Sequence, residues 1–344
     1  MSAHTPSRDV QRLTLDEVRT LASDALRAHG VEFDVAALLA DRIVLAERDG
    51  PASHGLFMLP SLLSGLRCGW IGARARPRMT VAGPAALHVD GDNGFAQPGL
   101  ERARPELARM AAAQGIAVLT QRNAHHVGAL RCDVEPFAEA GLVAMMFVAT
   151  RRRVVPHGGR HPMLGTNPMA FAAPVRGRPP FVWDMATSAV AVSDVRLMAE
   201  SGRAVPPGTG VDRHGAPTTD ARSILDGGAL LAFGGHKGTA VSLMVEIMAA
   251  ALSGGRFAVE DRAAEVPGAA SANGGQTVIV IDPARAGDAG LAGRVADWLA
   301  LYPDTGAERL PGDGRLARRD AALRDGVDVP TALLRQLREA GRAP

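Results

Sequence analysis

The stretch Ile116-Ala-Val-Leu-Thr-Gln-Arg-Asn-Ala-His-His-Val-Gly-Ala-Leu130 indicates the fold class. Its opening run, Ile116–Leu119, is short and apolar, which predicts a β-strand, and a helical pattern begins soon after it, at about residue 133. A strand, a polar loop and a helix in this order are typical of a sheet that is covered by helices. The loop carries two adjacent histidines, and loops of this kind often present functional groups.

Similar short apolar runs on both sides of this stretch extend the predicted sheet. Turn residues separate them, and helical stretches are predicted at about 98–114 and 133–140. The pattern predicts an α/β (or α+β) sheet domain over residues 76–229. The other predicted strands are Ala86–Val89, Leu142–Ala149, Met169–Ala173 and Phe181–Trp183.

The N-terminal segment has a helical pattern instead. Thr14 and Glu17 have the spacing of a capping box, and apolar residues recur at helical intervals after them. Two more helices are predicted, from about Asp34 to Glu47 and from about Leu56 to Leu66. We assign residues 1–75 to a mainly helical domain.

The C-terminal segment, residues 230–344, is assigned to the same helical domain. A helix from roughly Lys237 to Leu252 is apolar nearly all round, so we expect it to be buried. A strand is predicted at Gln276–Ile281 and a helix at Leu291–Leu301. Glycine and proline residues predict a loop from Asp304 to Arg319, and the arginine-rich remainder predicts a surface helix.

The composition and charge exclude several classes of protein. The 38 basic and 36 acidic residues are spread along the chain, so no basic stripe is present for nucleic acid. No uncharged run approaches the roughly 18 residues that a membrane span requires, and the N-terminus lacks the apolar core of a signal peptide. Cys68 and Cys132 are far apart without metal-ligand spacing. We therefore expect a cytoplasmic protein with no nucleic-acid or membrane partner and no metal site.

Lys237 is the only lysine among the 38 basic residues. It lies in Phe233-Gly-Gly-His-Lys-Gly-Thr239, at the start of the most apolar predicted helix. The stretch is not a P-loop, and no Gly-x-Gly-x-x-Gly sequence occurs in the chain, so any dinucleotide binds without the Rossmann fingerprint. Glycines followed by a lysine at a helix N-terminus still suit a phosphate, and a plain glycine-rich turn is the alternative.

Ser53 and His54 stand at the entrance of the predicted helix over residues 56–66. Ser53 could serve as a plain N-cap, with His54 as a bystander. Serine and histidine are also residue types of a serine hydrolase. The chain lacks a Gly-x-Ser-x-Gly elbow, however, and adjacent side chains are expected to diverge.

Seven motifs, taken together and in this order, resemble the type 2 malate/L-lactate dehydrogenase family. They are Ser53-His54-Gly55, Val89-Asp-Gly-Asp-Asn-Gly94, His126 with Gly128-Ala129, Leu164-Gly-Thr-Asn-Pro168, Asp184-Met-Ala-Thr-Ser188, Pro217-Thr-Thr-Asp220 and Gly234-Gly-His-Lys-Gly238. Within the family, further motifs are similar to the Δ1-piperideine-2-carboxylate/Δ1-pyrroline-2-carboxylate reductases. These are Glu47-Arg-Asp-Gly50, Gly94-Phe-Ala-Gln-Pro98, Asp133-Val-Glu-Pro-Phe-Ala-Glu139, Val154-Val-Pro-His-Gly158 and Phe233-Gly-Gly-His-Lys237.

The resemblance implies an NAD(P)H-dependent reductase of cyclic imines that acts as a homodimer on a small-molecule substrate. It also implies a non-Rossmann central sheet domain that holds the cofactor and a helical domain built from both chain ends. The implied cofactor is NADPH, with NADH as the alternative. His54 would donate the proton, Ser53 and Asp194 would complete its relay, and Thr166 would face the substrate. A 2-keto or 2-hydroxy acid dehydrogenase of malate, lactate or ureidoglycolate type is the alternative function.

For the cofactor, the resemblance implies contacts from four segments, whose basic groups would meet its phosphates. The residues are His126, Val127, Gly128, Ala129, Leu130, Asp184, Met185, Ala186, Gly235, His236, Lys237, Arg309, Leu310, Pro311, Gly312, Asp313, Gly314 and Arg315.

The chain departs from the family pattern at Val192-Ser193, where many relatives carry Arg-Gly, and at position 58. Where the family has an arginine that pairs with the substrate carboxylate, this chain has Met58. Three explanations follow: the substrate lacks that carboxylate, another cation binds it, or the chain has been repurposed. The candidate cations are Arg131, where the reductases usually have an apolar residue, and the run Arg151–Arg153.

Overall fold

The computed structural model describes residues 9–50 and 52–342. The strands are β1 Val10–Leu13, β2 Arg78–Gly83, β3 Ala86–Phe95, β4 Ile116–His125, β5 Val143–Val148, β6 Val154–Val155, β7 Met169–Ala173, β8 Phe181–Met185, β9 Gly210–Val211, β10 Pro217–Thr218, β11 Ala229–Leu231, β12 Gly274–Ile281 and β13 Val327–Pro330. The helices are α1 Leu15–Ala28, α2 Phe33–Asp49, α3 Leu59–Arg67, α4 Gln97–Gln114, α5 Arg131–Glu139, α6 Val192–Glu200, α7 Ala221–Leu225, α8 His236–Glu246, α9 Pro283–Ala286, α10 Leu291–Leu299, α11 Asp313–Asp325 and α12 Thr331–Ala340.

The largest sheet has seven strands in the order β2-β3-β4-β12-β5-β7-β8. Strands β3 and β4 pair in parallel, and the other neighbours in this sheet are antiparallel. A mixed sheet of this order differs from the parallel sheet of a Rossmann domain. Helices α4 and α5 pack against it around Leu107, Val134 and Met146. Helix α8 packs against β5, where Val245 contacts the cluster of Phe147.

Both ends of the chain build one helical core. β1 pairs with β13, and Leu26, Leu39 and Leu337 belong to the same buried cluster. The predicted capping box is present, because Thr14 Oγ1 accepts from the Glu17 N–H and the Glu17 carboxylate accepts from the Thr14 N–H. Helices α1, α2 and α3 therefore lie where the sequence predicts them.

The strand predicted at residues 276–281 is present as β12, but it does not lie with the helical core. It pairs with β4 on one side and with β5 on the other, in the middle of the large sheet. The assignment of residues 230–344 to one helical unit is therefore wrong for this strand. The strand pattern was visible in the sequence, whereas its partners are distant in the chain and leave no local signal.

Two further predictions for the C-terminal segment are wrong. The predicted loop over residues 304–319 stops at Gly312, because α11 begins there and binds the rest of the protein through buried ion pairs instead of an apolar stripe. Helix α8, expected to be buried, exposes Leu243 and Met244, and Ile247 directly after it is exposed as well. Apolar composition alone does not reveal which face of a helix has a partner.

A second, smaller sheet has the strand order β10-β9-β11-β6. It shares a core with α6 and α7, in which Val154, Val195 and Ile224 are buried together. This core places α6, which carries Asp194, beside the strand that follows Arg153.

Within the described part of the chain, no helix is long and apolar enough to span a lipid bilayer.

Candidate active site

The loop between α2 and α3 carries Ser53 and His54, and Glu47 in the last turns of α2 holds it in place. Residues 52–54 form a single 3-10 turn, and the Glu47 carboxylate accepts a hydrogen bond from the Leu56 N–H at 2.7 Å. Gly55 lies directly over this carboxylate, since a Cβ there would be 2.2 Å from Glu47 Oε1. Burial raises the pKa of Glu47 to about 7, and its bond to Leu56 opposes that shift.

Ser53 and His54 contact each other. Ser53 Oγ lies 3.1 Å from His54 Nδ1, so the hydroxyl can donate to the neutral ring or accept from the imidazolium. The expectation that adjacent side chains diverge is wrong at this turn. The N-cap interpretation of Ser53 is wrong as well, because neither the turn over Leu56–Met58 nor α3 has a side-chain cap.

Four charged or titratable groups surround His54, each from a different segment. Burial lowers the pKa of His54, the carboxylates of Asp184 and Asp194 oppose this, and Arg131 and His126 add to it. Asp194 lies exposed in the first turn of α6 and acts on His54 through charge, whereas the hydrogen-bond partner of His54 is Ser53. The structure thus brings two of the three predicted relay residues into contact and places the third within electrostatic range.

His126 is held by a carboxylate that sequence reasoning did not single out. His126 Nε2 lies 2.8 Å from Asp133 Oδ2, and the Asp133 side chain is 3% exposed. Burial raises the pKa of Asp133, but the His126 hydrogen bond and the charges of Arg42 and Arg104 outweigh it and lower that pKa. The seven-residue spacing from His126 to Asp133 was the available signal, because it places the carboxylate in the first turn of the following helix.

The other predicted segments meet along β8. Asp184 Oδ2 accepts from the backbone N–H of Arg131 at 3.3 Å, so this first amide of α5 is not free for an external anion. Directly after Ala186, the Thr187 N–H donates to Thr166 O at 2.8 Å, and Thr166 Oγ1 lies 3.0 Å from Thr150 Oγ1. The predicted substrate residue Thr166 therefore adjoins the segment Asp184–Ala186.

The glycine-rich stretch before α8 joins the same region. The Phe233 N–H donates to Thr187 O at 3.0 Å. Gly234 and Gly235 have φ angles of +57° and +62°, which favour glycine, and α8 then begins without a side-chain cap. His236 and Lys237 are exposed at this helix start. Uncapped amides beside an exposed ammonium form a surface that suits a phosphate.

The segment Arg309–Arg315 lies against the outer strand of the sheet. A Cβ at Gly312 would be 2.6 Å from Val182 O, and Asp313 pairs with Arg178 at 2.6 Å. The Arg315 side chain is buried and binds Glu135 at 2.9 Å. The Arg315 side chain is thus held in an internal ion pair, so only the Arg315 backbone remains for the predicted cofactor contact.

A cavity of about 460 Å³ opens beside this segment. Its wall combines apolar groups with three arginines, and it includes the only tyrosine of the chain. Its lining includes Arg176, Arg178, Leu299, Tyr302 and Arg309.

Met58 packs against the helical core and is partly buried. Of the candidate cations, Arg131 is buried, and Arg151 is bound to Asp261 at 3.1 Å and to two backbone carbonyls. Arg152 is exposed. The half-buried Arg153 has Arg151, Arg196 and Asp261 around it, so burial and the two like charges lower its pKa. Positive charge is therefore in excess at Arg153, whose N–H donates to Leu164 O at 2.9 Å, two residues before Thr166.

Among the described residues, no three histidine, cysteine, aspartate or glutamate side chains are grouped as a metal site requires.

Comparison with known proteins agrees with the resemblance that the motifs carry. The sequence matches the malate/L-lactate dehydrogenase family over residues 13–338. It is 45% identical over 339 residues to a Delta(1)-pyrroline-2-carboxylate/Delta(1)-piperideine-2-carboxylate reductase of Pseudomonas syringae pv. tomato, covering 98% of this chain and 99% of that protein. An enzyme of the same name from Pseudomonas putida is 45% identical with the same coverage.

Among solved structures, the crystal structure of the delta1-piperideine-2-carboxylate reductase from Pseudomonas syringae pv. tomato superposes with a TM-score of 0.93 at 45% identity. The match covers 96% of this chain and 99% of that one. Both the family match and these relatives are reductases or dehydrogenases. The chain is therefore an oxidoreductase, and it belongs to the malate/L-lactate dehydrogenase family.

Proposed function

We propose that this protein is an NAD(P)H-dependent reductase of cyclic imines such as Δ1-pyrroline-2-carboxylate and Δ1-piperideine-2-carboxylate. The observation that carries the proposal is the position of His54. His54 is hydrogen-bonded to Ser53 and lies within electrostatic range of Asp184. Asp184 is the first residue of one of the four segments expected to hold the cofactor. The names of the relatives supply the substrate class.

The residues present fit a nicotinamide dinucleotide. The uncapped start of α8 with Lys237 suits a phosphate group, and Gly312 lets the segment 309–315 approach β8 more closely than any side chain would. When bound, the cofactor supplies the hydride for the imine carbon. The chain's own residues bind and orient it and deliver the proton.

NADPH is the proposed donor, with NADH as the alternative. Leu299 and Tyr302 are among the residues that line the cavity beside Arg309, together with Arg176, Arg178 and Arg309. A lining that combines apolar groups with arginines suits an adenosine that carries a 2′-phosphate, because guanidinium groups bind phosphate in a bidentate manner.

His54 is the proposed proton donor to the imine nitrogen. In the imidazolium form, Nδ1–H can donate to Ser53 Oγ, which leaves Nε2–H for the substrate. Asp184 and Asp194 stabilise that charged form, and they partly offset the cost of its burial. Asp133 fixes the ring of His126 beside it.

Arg153 is the proposed partner of the substrate carboxylate, in place of the arginine that Met58 replaces. It is half-buried in an excess of positive charge, next to the segment of Thr150 and Thr166. We expect Arg153→Met to raise the KM for imino acids by about tenfold or more, since a carboxylate would lose its charged partner. Arg152→Met, which removes an exposed neighbour, is the matched control and should leave KM unchanged.

A homodimer is also proposed, joined through an exposed apolar face on α8 and the residues that follow it. Leu243, Met244 and Ile247 continue into Leu252, and all four are more than a third exposed. A contiguous apolar face of this kind is typical of a subunit interface. Sedimentation of Ile247→Asp tests it: we expect a monomer, whereas Leu323→Asp, at an equally exposed leucine on α11, should sediment as the wild type does.

The test of the function is NADPH oxidation with each imine and with pyruvate and oxaloacetate beside them. Turnover of the imines that is abolished in His54→Ala would support the proposal. Turnover of the keto acids alone would favour the alternative, a 2-keto acid dehydrogenase, to which the family name also applies. Imine turnover that survives in His54→Ala would remove His54 from the proposed role.

A further inference from the structure

Arg131 connects two segments of the candidate site through one buried side chain. Its Nη2 donates to Gly50 O at 2.8 Å, at the start of the loop that carries His54. Its Nη1 lies 3.4 Å from Asp184 Oδ2, and its backbone N–H donates to the same oxygen. The guanidinium thus lies between the proton-donor loop and the end of β8.

This guanidinium is poorly satisfied for a group that is 3% exposed. Its Nε has no hydrogen-bond partner among the described residues and lies 4.0 Å from Asp49 Oδ2. Asp49 is already bound by Arg48 at 2.7 Å and Arg319 at 2.8 Å, so its charge is shared among several bases. A buried charge with an unpaired N–H costs stability, and sites that break such rules are often functional.

We propose that Arg131 is a positioning residue for the reaction, which fixes the Ser53–His54 loop against Asp184 by bridging Gly50 O and the Asp184 carboxylate. The proposal rests on the proposed function, since it concerns where the proton donor stands relative to the segment expected to hold the cofactor. A guanidinium suits this task because its planar fork reaches two acceptors at a fixed angle, which an ammonium cannot do.

The bridge also sets the electrostatic balance at His54. The charged and titratable groups that face His54 are Asp184 from β8, Asp194 from α6, His126 from the segment after β4, and Arg131 from α5. Arg131 lowers the pKa of His54 and Asp184 raises it, so the two charges offset each other. Removal of the guanidinium alone leaves Asp184 uncompensated, and the pKa of His54 then rises.

The same geometry argues against Arg131 as the ligand of a substrate carboxylate. Two of its nitrogens are turned to Gly50 and Asp184, and the third faces Asp49. A carboxylate ligand would affect KM, whereas a positioning residue affects kcat and the titration of His54. These readouts separate the two roles.

The experiment compares Arg131→Met, which keeps the length and removes the charge, with Arg131→Lys, which keeps the charge and removes the fork. His54 is titrated by NMR in the full-length protein without cofactor, and kcat and KM for the imine are measured alongside. For Arg131→Met we expect a higher His54 midpoint, a kcat reduced by about tenfold or more, and a KM within about twofold of the wild type.

For Arg131→Lys we expect the His54 midpoint to return towards the wild-type value while kcat stays low, because the charge is restored without the bridge. Arg19→Met is the control. Arg19 on α1 pairs with Asp16 and, at 2.7 Å, with Asp41, and it has no described contact with residues 50–54, Arg131 or Asp184. We expect it to alter neither readout.

Two results would overturn the proposal. One is a folded Arg131→Met protein with the wild-type kcat and His54 midpoint. The other is a KM for imino acids raised by about tenfold or more at unchanged kcat, which would make Arg131 the carboxylate ligand. If Arg131→Met does not fold, Arg131→Lys decides by itself, since a wild-type kcat there excludes a need for the fork. If no imine is turned over at all, the proposed function fails, and the NMR titration still tests the bridge.

Discussion

The Glu47 carboxylate accepts a hydrogen bond from the Leu56 N–H at 2.7 Å, so the last turn of α2 supports the loop that carries His54. The folded-state pKa of Glu47, about 7, lies above its ordinary value of 4.5. The folded state therefore favours the protonated acid. The contribution of this preference to the free energy of unfolding is fully present below pH 4.5 and is lost as the pH rises through 7.

Glu47→Gln imitates the protonated acid and keeps an oxygen for Leu56. We expect it to change the free energy of unfolding little at pH 5 and to stabilise the protein at pH 8 by up to about 2 kcal/mol, because partial exposure reduces the gain. Thermal unfolding at both pH values measures this. Glu47→Ala should destabilise at both, since the Leu56 amide loses its acceptor. Equal effects of Glu47→Gln at pH 5 and pH 8 would contradict the assignment of a raised pKa.

The pH dependence of imine reduction should follow His54. Burial lowers the pKa of His54, so His54 loses its proton at a pH below the ordinary histidine pKa of about 6.5. We therefore expect kcat/KM to fall as the pH rises through a midpoint under about 6.5. The imine's own titration is present in every measurement, so the profile of His54→Ala serves as the baseline. A descending limb of equal midpoint and depth in both proteins would exclude His54 as its source.

Lys237 should contribute to cofactor binding through its compact ammonium. We expect Lys237→Arg to raise the KM for the nicotinamide cofactor severalfold and Lys237→Met to raise it further, with the melting temperature unchanged because the side chain is exposed. Initial rates at varied NADPH and at varied NADH give both constants. An unaltered KM in both variants would leave the lone lysine without a role at this helix start.

Gly312 should be required for the approach of the segment 309–315 to β8. Its φ angle is +94°, and a Cβ would be 2.6 Å from Val182 O, so Gly312→Ala must displace backbone. Gly306→Ala is the matched control, since its φ angle of +78° is also left-handed but a Cβ there meets nothing within 4 Å. We expect both to lose about 1 kcal/mol or more of stability, and Gly312→Ala alone to raise the cofactor KM. Similar KM values for the two variants would show that the close approach is dispensable.

Local signals in the sequence predicted the elements well. The capping box of Thr14 and Glu17 and the strand Met169–Ala173 appear where they are predicted, because side chains within a few residues decide them. The place of β12 could not be predicted, since its partners β4 and β5 lie more than a hundred residues earlier in the chain. The first half of helix α11 was missed because it is held by Arg315 and Arg319 against buried acids, which leaves no apolar periodicity to detect.

The sequence predicted which residues belong to the candidate site, but it predicted the contacts between them less well. The family motifs named His54, Asp184 and Thr166, and the structure gathers their segments along β8. Asp49, which binds the arginines of α11, carries no mark of burial in its local sequence. Such partners depend on how distant segments pack, and no short window of sequence contains that information.

The central position of β12 has a consequence for biosynthesis. Strands β2, β3, β4, β5, β7 and β8 all leave the ribosome before β12 does, and until then they can form only two half-sheets with open edges at β4 and β5. Unpaired edges of this kind are sites of misassembly and of chaperone capture. A nascent chain arrested before Gly274 should therefore remain protease-sensitive, and resistance should appear only once Ile281 has emerged.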